Sequence, residues 1–241
     1  MIYLDNAATT FPKPPAVRRE VERCLREYCG NPGRSAHKLS LAAAEAVYDC
    51  RLAAHRKEGM PSGAIVWLGD SLTEQGWWNF LSKEKNIVNR GIGGDNTRGM
   101  LARLPEILQS APRKIFLMAG VNDLSGNSPV EEVAANIRKM LEMVREQVPE
   151  CEVYLQSVIT PNNDVLAYPY AKGKQAQTRA LNERLKAFCD EGLATWVDLT
   201  PLLHNEKGEL REELTKDGIH LHAEAYVMWV DHLKEMKYLR K

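Results

Sequence analysis

Several residues in this chain have the types and spacing that suit hydrolysis of an ester or amide. Ser71 follows the apolar run 64–68, so its hydroxyl is expected where a buried strand ends and a helix begins. A serine hydroxyl is a weak nucleophile near neutral pH and needs a base. His220 is the candidate base, and Asp217, three residues earlier in the pattern D-x-x-H, can orient its imidazole. His222 falls outside this pattern, and we expect it at a pocket rim or on the surface.

The anionic oxygen of a tetrahedral intermediate needs hydrogen-bond donors that are already in place. Candidate donors are the backbone N–H of Ser71, a backbone N–H in the turn at Gly93 and Gly94, and the side-chain amide of Asn122. Each of these residues also has an ordinary structural interpretation, as a helix N-cap, a turn glycine or an Asx-turn residue. Their occurrence together, each near the end of a predicted strand, favours catalysis.

The elements that must position these residues are predicted by the alternation of apolar runs and helical periodicity after residue 63. The predicted strands cover residues 64–68, 87–89, 114–119, 152–157 and 195–198. The clearest helical patterns cover residues 97–108, 130–148, 178–191 and 223–237. Strands that alternate with helices predict a three-layer α/β/α sandwich with a five-stranded parallel sheet. The candidate residues then meet at one edge of that sheet.

Four aromatic residues near these positions are candidates for binding substrate. Trp77 and Trp78 follow the candidate nucleophile closely and are predicted to wall a small acyl pocket, although anchoring a helix to the core is the alternative for either. Tyr168 and Tyr170 lie in a polar, irregular segment after the fourth strand. They are candidates to stack on a sugar ring, with ordinary packing as the alternative.

Composition bounds the partners and the location. The 32 basic and 32 acidic residues cancel, so no electrostatic attraction to nucleic acid or to an anionic membrane is predicted. No apolar run approaches the roughly 20 residues of a membrane span, and the N-terminus lacks the pattern of a signal peptide, which predicts a cytoplasmic protein. The five cysteines lack C-x-x-C spacing. We therefore expect reduced thiols, no metal site and no cofactor.

Four blocks of the sequence resemble, in order, blocks I, II, III and V of the GDSL or SGNH hydrolase family. They are GDSLTEQGWW at 69–78, NRGIGGD at 89–95, AGVND at 119–123 and DGIH at 217–220. The resemblance extends over about residues 63–241 and implies a flavodoxin-like sheet. The residues that correspond to the family's catalytic triad and oxyanion hole are Ser71, Gly94, Asn122, Asp217 and His220. Gly94 is preferred to Gly93 because the family places this glycine directly before the aspartate.

The same blocks look most like a bacterial branch of platelet-activating-factor acetylhydrolase-like and sialate O-acetylesterase-like enzymes. This resemblance implies a serine esterase that removes a short acyl group, in particular acetyl, from a hydroxyl of a carbohydrate or other small molecule. The family also contains lysophospholipases and thioesterases, so action on longer acyl chains is an alternative. In either case the expected partner is a small-molecule ester.

The first 50 residues resemble a different family. MIYLDNAATTFPKP at 1–14 and GNPGRSAHKLSLAAAEAVYDCR at 30–51 are similar to the opening of a cysteine desulfurase, a class V aminotransferase that uses pyridoxal phosphate. The resemblance stops before that family's Schiff-base lysine, and Lys38 does not correspond to it. We therefore expect neither desulfurase activity nor the cofactor.

Residues 1–56 are predicted to form an N-terminal helical extension, with helices at 15–28 and 40–55, and residues 57–241 a hydrolase domain. Four interpretations of the extension stay open at this stage. It can pack on the hydrolase, pair with another copy to form a homo-oligomer, or engage the partners of a desulfurase in a non-catalytic binding protein. It can also be a mobile remnant of a gene fusion.

Overall fold

The structure is a computed structural model that describes residues 38–240 together with Arg19 and Arg23. The chain divides into two compact units, Met1–Ala53 and Ala54–Lys241. Helix α1, Lys38–Glu58, accounts for most of the described part of the first unit. It corresponds to the helix predicted at 40–55. The helix predicted at 15–28 lies outside the described residues except for those two arginines.

The second unit is built on a five-stranded parallel sheet, as predicted. Its strands are β1 (Ile65–Gly69), β2 (Ile87–Gly91), β3 (Lys114–Leu117), β4 (Glu152–Gln156) and β5 (Thr195–Val197). The strand order is β2-β1-β3-β4-β5. In the register of the sheet, Ile65 lies opposite Ile87 on one side and Lys114 on the other. The central position of β1 places the residue that follows it between the loops after β2 and β3.

Helices connect the strands on both faces of the sheet. They are α2 (Ser71–Glu74), α3 (Trp78–Leu81), α4 (Thr97–Leu108), α5 (Val121–Ser125), α6 (Val130–Gln147), α7 (Gln175–Asp190), α8 (Thr200–Leu203) and α9 (Ala223–Glu235). Short 3-10 turns occur at Pro169–Ala171 and Glu212–Leu214. The four long helices were predicted from periodicity. The short helices α2, α3, α5 and α8 are a little over one turn each, too short to produce a periodic pattern.

The two faces of the sheet carry separate apolar cores, because successive strand side chains point to opposite sides. Val66 and Leu68 of β1 pack with residues of α4, α6 and α7. Ile65 and Trp67 point to the other face, where they pack with residues of α9 and with Trp78. A sheet covered by helices on both faces is buried on both sides, which explains why the central strand β1 is apolar on both of its faces. The predicted three-layer α/β/α sandwich is confirmed.

Candidate active site

Ser71 is the first residue of helix α2 and lies directly beyond the end of β1. The helix begins here because Oδ1 of Asp70 accepts a hydrogen bond from the N–H of Leu72 at 2.9 Å, which caps the first turn. Gly69 makes this close turn possible, since a Cβ at residue 69 would lie 2.1 Å from Oγ1 of Thr73. The turn leaves the Ser71 side chain partly exposed.

The structure brings His220 and Asp217 together with Ser71. Nε2 of His220 lies 3.0 Å from Oγ of Ser71, and Nδ1 of His220 lies 2.7 Å from Oδ2 of Asp217. With neutral histidine, the Nδ1–H donates to Asp217, and Nε2 accepts from the serine hydroxyl. All three side chains are within hydrogen-bond reach in the order that nucleophilic catalysis requires.

The loop between Thr215 and Leu221 fixes the carboxylate of Asp217. Its Oδ1 accepts the backbone N–H groups of Ile219 and His220 at 3.1 Å and 2.8 Å. Partial burial raises the pKa of this carboxyl, but the hydrogen bonds from the His220 ring and from these two N–H groups outweigh burial, and the pKa lies below its usual value. Asp217 is therefore ionised at neutral pH and can stabilise a positive charge on His220.

Gly93 and Gly94, the two glycines in the turn after β2, have different surroundings. The N–H of Gly93 donates to Oε2 of Glu74 at 2.5 Å. Gly94 has φ +77°, a conformation that favours glycine, and a Cβ at this position would meet no atom within 4 Å. The space beside its Cα is therefore open, and its N–H stays the candidate donor of the pair.

Asn122 lies in the first turn of α5, directly after β3. Its Nδ2 donates one hydrogen bond to the backbone carbonyl of Asp95 at 2.8 Å. A primary amide has two N–H donors, so this bond orients the group and leaves the second N–H for a ligand. The carbonyl belongs to the residue after Gly94, which places the two candidate donors side by side.

The four aromatic candidates have different environments. Trp77 is 71% exposed, whereas Trp78 is 2% exposed and stacks on Trp67 with ring centroids 3.5 Å apart. The ring of Trp78 therefore packs in the core, where its Nε1–H donates to the carbonyl of Thr73 at 2.9 Å, and the residue also lines the apolar groove beside Trp77 and Phe80. That Trp78 walls an acyl pocket stays a prediction. The alternative weighed from the sequence, that one of the pair anchors a helix, applies to Trp78.

Tyr168 lies inside the site. Its hydroxyl donates to Oδ2 of Asp217 at 3.3 Å, and its ring centroid lies 5.9 Å from that of His220 in an edge-on arrangement. Tyr170 is 52% exposed, and its ring lies 5.9 Å from that of Tyr168. Their roles in binding a sugar stay a prediction. His222 is exposed at the N-cap of α9, in line with its expected surface position.

Sequence reasoning missed a buried ion pair behind the candidate donors. The Arg103 guanidinium donates to Oδ2 of Asp95 at 2.9 Å, to the carbonyl of Arg90 at 2.7 Å and to the carbonyl of Gly69 at 3.1 Å. It therefore ties together the ends of β1 and β2 and the turn that carries Gly94. Nothing in the spacing of Arg103 on helix α4 indicates this role, because its partners are distant in sequence.

Several features bear on cofactors and surroundings. Within the described residues, no group of three or more His, Cys, Asp or Glu side chains is placed to hold a metal ion. Cys50, Cys151 and Cys189 are free thiols, while Cys24 and Cys29 lie outside the described residues. In the part of the chain that the structure describes, no helix has the length and apolar character needed to traverse a bilayer.

The sheet, and the serine, histidine and aspartate that meet at its edge, define the class as an α/β/α hydrolase with a serine site. Comparison with family models then identifies the family. The model of the GDSL-like Lipase/Acylhydrolase family matches residues 67–228, which is more than half of the chain. The chain belongs to this family of esterases and acylhydrolases, and the resemblance stated from its sequence blocks is confirmed.

A second family model, of class V aminotransferases, matches residues 2–71. This confirms the resemblance of the N-terminal segment. The match extends beyond the first 50 residues, where the sequence analysis placed this resemblance, and overlaps the hydrolase match at residues 67–71.

Individual relatives are similar to this chain over most of its length. An N-acylneuraminate cytidylyltransferase from Streptococcus agalactiae is 29% identical over 180 residues, which cover 71% of this chain and 40% of that protein. The chain thus spans less than half the length of this relative. The alpha1 subunit of platelet-activating factor acetylhydrolase IB from Bos taurus is 24% identical, over 73% of this chain and 75% of that protein. The structure of a GDSL-like lipase from Bacteroides thetaiotaomicron has a TM-score of 0.68 at 24% identity, over 80% of this chain and 99% of that chain, and shows the same fold.

Proposed function

We propose that this protein is a serine esterase that hydrolyses short-chain acyl esters, in particular O-acetyl esters of a carbohydrate or similar small molecule. The observation that carries the proposal is the hydrogen-bonded series from Ser71 Oγ through His220 to Asp217, with distances of 3.0 Å and 2.7 Å. The enzyme class follows from the family, and the substrate and the residue roles are our proposal.

In the proposed acylation step, Oγ of Ser71 attacks the carbonyl carbon of the ester while Nε2 of His220 takes the hydroxyl proton. Asp217 stabilises the imidazolium that forms. The carbonyl oxygen becomes an oxyanion, which accepts hydrogen bonds from the N–H groups of Ser71 and Gly94 and from the free N–H of Asn122. The bond to the leaving alcohol then breaks, and His220 donates its proton to the alcohol oxygen.

Deacylation repeats these steps with water. His220 removes a proton from a water molecule, whose oxygen attacks the acyl carbon of the ester on Ser71. The same donors hold the second oxyanion. When the bond to Oγ breaks, the carboxylic acid leaves and His220 returns the proton to Ser71, so the enzyme is restored.

The proposal of a short acyl group and a sugar-like alcohol draws support from two relatives. One is named for removing an acetyl group, and the other for an N-acylneuraminate, a sugar acid. Tyr168 and Tyr170 beside the triad provide aromatic surface of the kind that packs on sugar rings.

Action on longer acyl chains is a second candidate, and one observation favours it. Trp77 and Phe80 are 71% and 89% exposed, and their rings lie 6.4 Å apart beside an apolar groove that also contacts Ile87. Such a groove begins only a few residues beyond Ser71 and offers apolar surface to an acyl chain.

Steady-state hydrolysis of p-nitrophenyl acetate, butyrate and octanoate tests both candidates. We expect kcat/KM to fall with acyl length and Ser71→Ala to abolish turnover. Ser110→Ala is the matched control, because its hydroxyl donates to the carbonyl of Ile107 at 3.0 Å away from the site, and its activity is expected to equal that of the wild type. A preference for octanoate that Trp77→Ala removes would establish the second candidate. Equal rates for Ser71→Ala and the wild type would reject both.

Release of acetate from O-acetylated sugars tests whether the alcohol part of the substrate is a carbohydrate. We expect turnover of at least one such sugar at a kcat/KM above that of p-nitrophenyl acetate, and its loss in Ser71→Ala. Hydrolysis of the aryl ester with no turnover of any acetylated sugar would reject the carbohydrate part of the proposal and leave the esterase part intact.

A further inference from the structure

Each residue proposed to bind the oxyanion has a buried aspartate as its neighbour in the chain. The aspartates are Asp70, Asp95 and Asp123, next to Ser71, Gly94 and Asn122 respectively. Their exposed fractions are 1%, 4% and 6%. Because they follow three adjacent strands, these carboxyls form a cluster behind the proposed oxyanion hole, and we call it the acid cluster.

The acid cluster has more negative than positive charge when fully ionised. Among the described residues, its ion-pair partner is the single guanidinium of Arg103, which lies 2.9 Å from Oδ2 of Asp95 and is itself buried. Three carboxylates and one guanidinium would leave two uncompensated charges in a dry environment. Burying an uncompensated charge is costly, and the usual response is for one carboxyl to keep its proton.

The hydrogen bonds indicate which carboxyl is least able to hold a charge. Asp123 accepts from the N–H of Thr97 and, at 2.6 Å, from its hydroxyl, at the N-terminus of α4. Asp95 accepts hydrogen bonds from the Arg103 guanidinium and from the N–H of Asn96. Oδ1 of Asp70 accepts a hydrogen bond from the N–H of Leu72, whereas its Oδ2 is buried and has no hydrogen-bond partner within the described residues.

The electrostatics of Asp70 agree with this geometry. Burial raises the pKa of its carboxyl to about 7, the N–H of Leu72 opposes this rise, and the charges of Asp95 and Asp123 add to it. Among the described residues, Tyr226 of α9 is a further ionisable group that interacts with Asp70, and its hydroxyl donates to the carbonyl of Leu72 at 2.9 Å. Burial and then the charge of Asp70 raise the pKa of Tyr226, so this phenol stays neutral and supplies no compensating charge.

We propose that Asp70 is a positioning residue whose neutral form allows the oxyanion hole to work at full strength, and that its ionisation sets the alkaline limit of activity. The proposal rests on the proposed function. The tetrahedral intermediate places a negative charge on the neighbouring donors, and a further buried anion beside them opposes it. The substrate is neutral, so ionisation of Asp70 lowers kcat and leaves KM nearly unchanged.

The test compares pH profiles of kcat and KM for the wild type and Asp70→Asn on p-nitrophenyl acetate, with product followed at its isosbestic wavelength. Asparagine keeps the acceptor for Leu72 and cannot ionise. We expect wild-type kcat to fall about tenfold as the pH rises from about 7 to about 9, and the variant to show no such fall. Asp198→Asn is the control, because this exposed carboxylate accepts from the N–H of Thr200 at 3.0 Å in a similar turn, and its profile should match the wild type.

Two further measurements make the outcome decisive. The first is the turnover of Ser71→Ala. If Ser71→Ala is inactive but kcat falls equally at alkaline pH in the wild type and in Asp70→Asn, this inference alone is overturned. If Ser71→Ala keeps full turnover, the proposed function is overturned and the inference with it. If Asp70→Asn does not fold, Asp123→Asn replaces it. Removal of that neighbouring charge makes Asp70 easier to ionise, so the alkaline fall should move to lower pH, and an unmoved fall would refute the inference.

Discussion

Asn122→Ala tests whether the amide beside Gly94 acts as an oxyanion donor. The substitution removes one of three proposed donors, and loss of one such donor costs about 2.7–4 kcal/mol of transition-state stabilisation, or about a hundredfold to a thousandfold in kcat. Because the amide contacts the developing anion more strongly than the ground-state carbonyl, KM should stay within about threefold. The assay is steady-state hydrolysis of p-nitrophenyl acetate.

The same side chain has a structural bond, which must be separated from its catalytic role. Truncation leaves the Asp95 carbonyl without the 2.8 Å hydrogen bond, at a cost of about 1 kcal/mol in the free energy of unfolding. Asn182→Ala is the matched control, since this amide bonds both the N–H and the carbonyl of Val158 at 2.8 Å and 3.0 Å. The control should lose as much stability in urea and keep its kcat. A kcat for Asn122→Ala within tenfold of the wild type would refute the assignment.

Tyr168→Phe removes the hydroxyl that donates to Asp217 and keeps the ring, so kcat on p-nitrophenyl acetate should fall about fivefold, and an unchanged kcat would exclude a positioning role. Trp78→Ala should lower the free energy of unfolding in urea by about 3–5 kcal/mol, because it empties a fully buried position; a loss below about 1 kcal/mol would contradict core packing. Burial lowers the pKa of His204 to about 4, below the value of about 6.5 in an unfolded chain. The unfolded state therefore binds more protons between these values, and stability should be lost as the pH falls from about 6.5 to about 4. His204→Gln should flatten that part of the curve of unfolding free energy against pH, and an equal slope would contradict it.

Much of the fold could be predicted because its signals are local. The apolar run at 64–68 is bounded by turn residues, and the long helices α4, α6, α7 and α9 carry apolar residues at helical spacing. The spacing D-x-x-H is also local, and the loop that holds Asp217 against His220 is formed by residues within a few positions of each other.

The parts that sequence reasoning could not provide depend on contacts between distant residues. The sequence does not distinguish the adjacent Trp77 and Trp78, because both are large aromatic residues in the same short segment. In the structure Trp77 is exposed, whereas Trp78 faces the sheet and stacks on Trp67. The choice between Gly93 and Gly94 rested on family correspondence. The structure supports the same choice, because Glu74 at the end of helix α2 accepts the N–H of Gly93.

Strand order explains how the three proposed donors can meet a single oxyanion. Because β1 lies between β2 and β3, the loop that carries Ser71 has the loops of Gly94 and Asn122 on either side. The loops converge outside the carboxyl ends of the strands, where open α/β sheets bind their ligands. The ends of β1 and β2 are tied by Arg103, and the loops after β2 and β3 are joined by the bond from Asn122 to Asp95. Each proposed donor is thus held by a contact to the segment that follows another strand, so the sheet would assemble the proposed oxyanion hole before any substrate binds, as electrostatic stabilisation of a transition state requires.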